Sequence, residues 1–296
     1  MSKRDILLAL LVVISWGVHF PVIKIGTNEI PGLMLVTIRF LLTGFIFIPF
    51  CQNLNKNQFR QILKFSFFYY MAHLSTLFVA LRFLESATVA LIMQVQVPFA
   101  IILGWLLHSE KFGWRTTAGL LLAFMGLGFI FGSPNITSWI GLSLTVASSL
   151  LWAFGSLQMR KIQDIDMPTM TAYAAILAAP VTGLLSCVFE KDHVAKLLSA
   201  NWTHLGFVLF YQIFLMSLMM FFWKGLMSRN SVQLVTAFTL LQPAVAVVAA
   251  HFMLGETLSM SAIIGGALAM AGVAIIVLRK IQKKQAKDLT PILHSE

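Results

Sequence analysis

Charge is what this chain has least of. Only 11% of its 296 residues are Asp, Glu, Lys or Arg, while 58% are hydrophobic, and the mean hydropathy is +0.86. Soluble domains carry about 25% charged and 45–50% apolar residues. A soluble fold of this length would lack the polar side chains to cover its surface, so the chain is read as integral to a membrane. Acid is scarcer than base, with 11 Asp and Glu against 21 Lys and Arg. The basic surplus is not gathered with aromatics into a nucleic-acid patch. It lies in short loops between apolar runs and in the tail Arg279 to Lys287, where the positive-inside rule accounts for it. Lipid is the expected partner and nucleic acid is not. Cysteine is nearly absent: Cys51 and Cys187 show no metal-ligand spacing. They fall toward opposite faces of the membrane, too far apart for a mutual disulfide. No His/Asp metal set, no Ser-His pair with a carboxylate and no phosphate-binding glycine loop is found. No metal or cofactor is expected, and the alternative of an integral-membrane enzyme has no catalytic cluster to rest on.

Strict apolar/polar alternation is absent too, which excludes a barrel and leaves helices of about 20 residues as the way to satisfy a backbone in lipid. Ten spans are expected, near 6–25, 33–50, 62–83, 87–107, 115–132, 138–158, 169–189, 203–224, 232–254 and 260–278. The first is too long for a signal-peptide core. With the N-terminus inside, fifteen basic residues face inward and four face outward (Lys24, Arg82, Lys191 and Lys196), while Arg39 and Lys224 lie within spans. Both termini are therefore placed in the cytoplasm.

The halves of the chain repeat one another. Gln96-Val97-Pro98 leads to Glu110, as Leu241-Gln242-Pro243 leads to Glu256. Gly119, Ala123 and Gly126 are matched at constant offset by Gly265, Ala269 and Gly272; Trp16 is matched by Trp152 and Lys24 by Arg160. Five spans per half is an odd number, so the second copy is inverted in the membrane. Inverted repeats of this kind mark transporters that bind substrate near the midplane, where the halves meet. The expected fold is all-α integral membrane, with ten transmembrane helices in two inverted five-helix repeats: 1–134, 135–280, and a cytoplasmic basic tail 281–296.

These features, with Leu8 to Val13, Trp16-Gly17, Val22-Ile23-Lys24, Pro31, Leu33-Met34-Leu35 and Arg39-Phe40, resemble the EamA family of the drug/metabolite transporter superfamily over nearly the whole chain. The resemblance implies a bacterial inner-membrane exporter working by alternating access. Its implied substrates are small metabolites, most of all amino acids or derivatives of the cysteine and O-acetylserine type. Aromatic amino acids, purines and drugs are the alternative substrates, and monomer and homodimer both remain open. The family commonly carries an amide or small polar residue where His19 stands, so that position is a departure.

Candidate site residues follow from cost, because polar side chains in a membrane are expensive and face a cavity or the bundle interior. In Ser15 to Gly26, SWGVHFPVIKIG, Pro21 deprives the Gly17 carbonyl of its helical donor, so a break with an exposed acceptor is expected at Gly17 and Pro21. Trp16 and His19 share a face there. Tyr69 and His73 share a face of the third span. Gln94 and Gln96 precede the helix-breaking Pro98, Gln242 precedes Pro243, and Trp152 and Tyr211 add aromatic walls. This set suits a small zwitterionic substrate, with Arg39 as a contact for its carboxylate. No Asp or Glu lies at mid-span, so coupling to protons would fall to His19, His73 or the substrate's own charge.

Overall fold

In the computed structural model, residues 1–108, 113–159, 161–162, 164–230, 235 and 238–289 are described, with side chains, His108 excepted, as far as residue 277. Glu110, Arg160 and the tail side chains from Arg279 onward, all placed above, lie outside that description. Among the described residues, nine helices are long and apolar enough to cross a membrane, and a shorter apolar helix makes ten. They are α1 (Lys3–Glu29), α2 (Gly32–Phe50), α3 (Lys56–Phe83), α4 (Ser86–Leu107), α5 (Trp114–Phe131), α6 (Trp139–Met159), α7 (Met167–Phe189), α8 (Trp202–Arg229), α9 (Phe238–Leu254) and α10, whose apolar part is Met260–Val277. The ends are set by capping chemistry. Asn55 and Gln58 form a capping box at α3, Asp166 accepts from the Thr169 N–H at α7, and Gly255, at φ 68°, closes α9.

Lipid tails are as apolar as leucine, so helices in a membrane associate through close packing rather than through hydrophobic exclusion. The α5–α10 seam shows this. A Cβ on Gly126 would lie 2.5 Å from the Gly265 carbonyl oxygen, and one on Gly272 would lie 2.5 Å from the Gly119 oxygen. The pairs in contact, Gly119 with Gly272 and Gly126 with Gly265, are exchanged by the repeat offset itself. α2 and α7 meet in the same way. A Cβ on Gly44 would strike Ile176 at 2.6 Å, and one on Gly183 would meet Thr37 at 3.3 Å. Such reciprocal contacts require each pair to run antiparallel about a two-fold axis, which is the geometry of an inverted repeat.

Two departures from helix regularity also recur in both halves. The third helix of each repeat contains a π-helical segment, Ser66–Leu74 in α3 and Tyr211–Leu215 in α8. The fourth helix of each repeat opens a 3-10 stretch just before its proline, Met93–Val95 ahead of Pro98 and Phe238–Leu241 ahead of Pro243. The first helix is not interrupted as its sequence suggested: α1 is helical from Lys3 to Glu29 with Pro21 inside it, although Pro21, having no N–H, still leaves the Gly17 carbonyl without its helical donor.

Candidate functional site

Each repeat's first helix is held by the third helix of the other repeat. On α1, the Tyr211 hydroxyl donates to the Ser15 carbonyl at 2.6 Å, and Gln212 Nε2 donates to His19 Nδ1 at 3.2 Å. On α6, the Ser148 hydroxyl donates to the His73 carbonyl at 3.0 Å, while His73 Nδ1 lies 3.0 Å from the Ser148 carbonyl and 2.8 Å from its hydroxyl. Gln242, on the fourth helix of the second repeat, adds a 3.4 Å bond to the Trp16 carbonyl. The network assigns the histidines opposite tautomers. His19 accepts at Nδ1 and so carries its proton on Nε2, whereas His73 donates from Nδ1.

The expected site residues therefore separate into groups. Trp16, His19, Tyr211 and Gln242 come together around α1, where Trp16 also tilts against Trp223 with ring centroids 4.8 Å apart. Tyr69, His73 and Trp152 gather at the α3–α6 contact. Tyr69 packs on His73 at 5.3 Å and on Phe65 at 5.2 Å, and Trp152 meets the Tyr69 side chain. The Arg39 guanidinium lies 5.8 Å over the Phe78 ring, within electrostatic reach of Tyr69, Tyr70, His19 and His73. Gln94 is buried at the 3-10 stretch of α4, and Gln96 is half-buried two residues on. A shallow apolar groove on the α1–α9 seam, lined by Val18, Ala244, Val245, Val248 and Ala249, offers a polar solute no partner.

Gly17 serves a different purpose from the one its sequence suggested. A Cβ there would sit 2.8 Å from the Gln242 carbonyl and 2.6 Å from Val245 Cγ1. Its missing side chain lets α9 close on α1. Lys24 is more than a surface marker, because its Nζ reaches the Leu81 and Leu84 carbonyls at 2.6 and 3.0 Å and caps the end of α3. Glu29 accepts from the Asn201 N–H at 2.9 Å and lies 2.7 Å from His204 Nδ1. Tyr70 and Gln212, which the sequence reading did not single out, stand here too, next to Tyr69 and Tyr211. A lone glutamine within an apolar run was the available signal for Gln212.

Three side-chain atoms in this region are buried without a hydrogen-bond partner: Arg39 Nη1, Gln94 Nε2 and Gln212 Oε1. Leaving such an atom unsatisfied costs about 1–3 kcal/mol, more for a charged group.

The comparisons with known proteins agree with this architecture. The EamA-like transporter family matches residues 3–132 and 139–278, one copy per half. The chain belongs to the EamA-like transporter family. It is 32% identical over 288 residues to a probable amino-acid metabolite efflux pump of Salmonella typhimurium, covering 94% of this chain and 96% of that one. A probable amino-acid metabolite efflux pump of Escherichia coli is 29% identical, with 97% and 99% covered. One solved crystal structure superposes with a TM-score of 0.65 at 14% identity, covering 94% of this chain and 97% of that one; this likeness concerns fold alone. An EamA-like transporter is not an enzyme, and this chain is a multi-pass membrane transporter of small metabolites.

Proposed function

We propose that the chain exports amino acids or their derivatives, of the cysteine and O-acetylserine type, across a bacterial inner membrane with both termini in the cytoplasm. Transport proceeds by alternating access, with the inverted halves rocking about a site at mid-depth. The observation that carries this reading is the reciprocal grip on α1 and α6, which puts Trp16, His19, Tyr69, His73, Trp152, Tyr211 and Gln242 at the junction of the halves, beside Arg39. A substrate lodged there touches both repeats at once. The printed names of the Salmonella and Escherichia relatives support amino-acid metabolites as the cargo. The interior charge is a guanidinium and not a carboxylate, which favours solutes bearing an anionic group over organic cations.

Counterflow in proteoliposomes tests the proposal. Unlabelled amino acid is loaded inside, and uptake of labelled cysteine, serine, leucine or phenylalanine is followed from about pH 5.5 to 8, the range in which a histidine titrates. Exchange of at least one of these amino acids, with none of adenine or tetraethylammonium, is expected. Exchange of no amino acid at any pH would overturn the substrate assignment. His19→Asn is expected to flatten any pH dependence while retaining exchange.

A further inference from the structure

Gln212 is 2% exposed and sits in the π-helical segment of α8, a distortion that recurs at functional sites. Its amide is half used: Nε2 donates to His19 and Oε1 has no partner. Arg39 is the complementary case. Its Nη1 is buried without an acceptor, and among the described residues no carboxylate pairs with it. The helix bearing Arg39, α2, packs on both α1 and the π segment that bears Gln212. The guanidinium charge also reaches His19, the ring that Gln212 contacts. An unmatched cationic donor from the first repeat and an unmatched neutral acceptor from the second thus stand near one imidazole.

We infer that Arg39 and Gln212 are the two anchors of an α-amino acid, the substrate carboxylate accepting from Arg39 Nη1–H and its ammonium donating to Gln212 Oε1. This rests on the amino-acid reading above and supplies its recognition chemistry. A carboxylate provides the counter-charge that the interior lacks, and its bond to a guanidinium is of the strong, charge-assisted kind. An ammonium satisfies the orphaned carbonyl oxygen without disturbing the bond that Gln212 makes to His19. The amine made by removing the carboxylate leaves Arg39 unmatched, and the acid made by removing the amine leaves Gln212 unmatched. Each analogue therefore forfeits one anchor. Because the anchors lie in different repeats, a zwitterion held by both ties the halves together, and a singly anchored analogue does not.

The test uses the full-length protein in proteoliposomes, with competition against counterflow of an amino acid that the wild type exchanges. For leucine the competitors are leucine, 3-methylbutylamine and 4-methylpentanoate. In the wild type each analogue is expected to compete at least about tenfold more weakly than leucine, the loss of one buried partner. Arg39→Gln should erase the preference for leucine over the amine and keep the preference over the acid. Gln212→Leu should do the reverse. Monodispersity and thermal unfolding in detergent establish that each variant is folded. If Arg39→Gln is not, Arg39→Lys replaces it, expected to retain a reduced preference over the amine. Wild-type exchange with both preferences unchanged in folded variants, or lowered equally in each, would overturn the anchors alone. A wild type that exchanges no amino acid would instead remove the reading on which they rest.

Discussion

At the end of the bundle where α2, α4 and α8 begin, three carboxylates reach across from the opposite repeat. Glu190 accepts from the Leu33 and Met34 N–H groups, both at 2.9 Å. Glu256 accepts from the Ser86 and Ala87 N–H groups at 2.9 Å and from the Ser86 hydroxyl, and Glu29 takes the Asn201 N–H. Asn135 adds a bridge from Glu85 to Thr257 and Ser259. At the other end, where α1, α3 and α7 begin, the crossings found among the described residues are sparser. Arg229 meets Asp5 at 3.4 Å in the open, Gln58 meets the Asp164 carbonyl at 3.4 Å, and the Gln52 N–H donates to Thr169 at 2.7 Å. A carboxylate at a helix N-terminus satisfies orphaned donors and also meets the positive end of the helix dipole. The first end is thus fastened by charge-assisted caps, and the second, among the described residues, by one short bond and two long ones. In the proposed mechanism the first is the outer end, and opening it must uncap three helices together.

The contrast can be broken most forcefully at Glu256. Glu256→Ala strips its bonds from Ser86 and Ala87 and should lower stability by about 2–3 kcal/mol, read by thermal unfolding in detergent. Glu190→Ala should cost somewhat less, about 1–2 kcal/mol, because one of its partners, Ser186, belongs to its own helix. A finer test concerns Glu85, whose carboxyl is pushed above the ordinary 4.5 by burial and by Glu256, against the opposing pull of Asn135 and Lys24. A carboxyl raised in the closed form stabilises it below the ordinary value and loses that contribution as pH rises through the raised one. The closed form should therefore weaken modestly as pH climbs from about 4.5, the usual carboxyl region, and Glu85→Gln should remove that slope in a thermal-unfolding series. The smallest effect is expected at the other end. Asp5→Ala removes an exposed, long ion pair and should leave the unfolding midpoint unmoved.

Much of this molecule was legible in its sequence. Apolar runs placed the helices to within a few residues, because lipid admits few other solutions. The Gly119–Ala123–Gly126 register found the α5–α10 seam, because only small residues allow backbones so close. The π segments were not legible: a shift in helical pitch over residues such as Ser66–Leu74 leaves composition unchanged while rotating which side chains face inward. That rotation explains why Gln212 and Tyr70 escaped notice although Tyr211 and Tyr69 did not. Pro21 misled for a related reason. Membrane neighbours can satisfy or shield the backbone around a proline, and α1 is held by Tyr211 and Gln242 through the adjacent Ser15 and Trp16 carbonyls. Lys24 showed the same limit, since a lysine near a helix end fits snorkelling to the surface as well as it fits capping a neighbouring helix.

The central claim is that solute crosses only as the halves separate at the capped end. Thr37 of α2 and Thr182 of α7 touch there, hydroxyl to hydroxyl at 2.9 Å, close enough for a pair of cysteines to be bridged. In a background of Cys51→Ser and Cys187→Ser, the Thr37→Cys/Thr182→Cys protein should exchange labelled amino acid when reduced, stop when oxidised, and recover with dithiothreitol. Undiminished exchange by the oxidised, fully cross-linked protein would contradict the account.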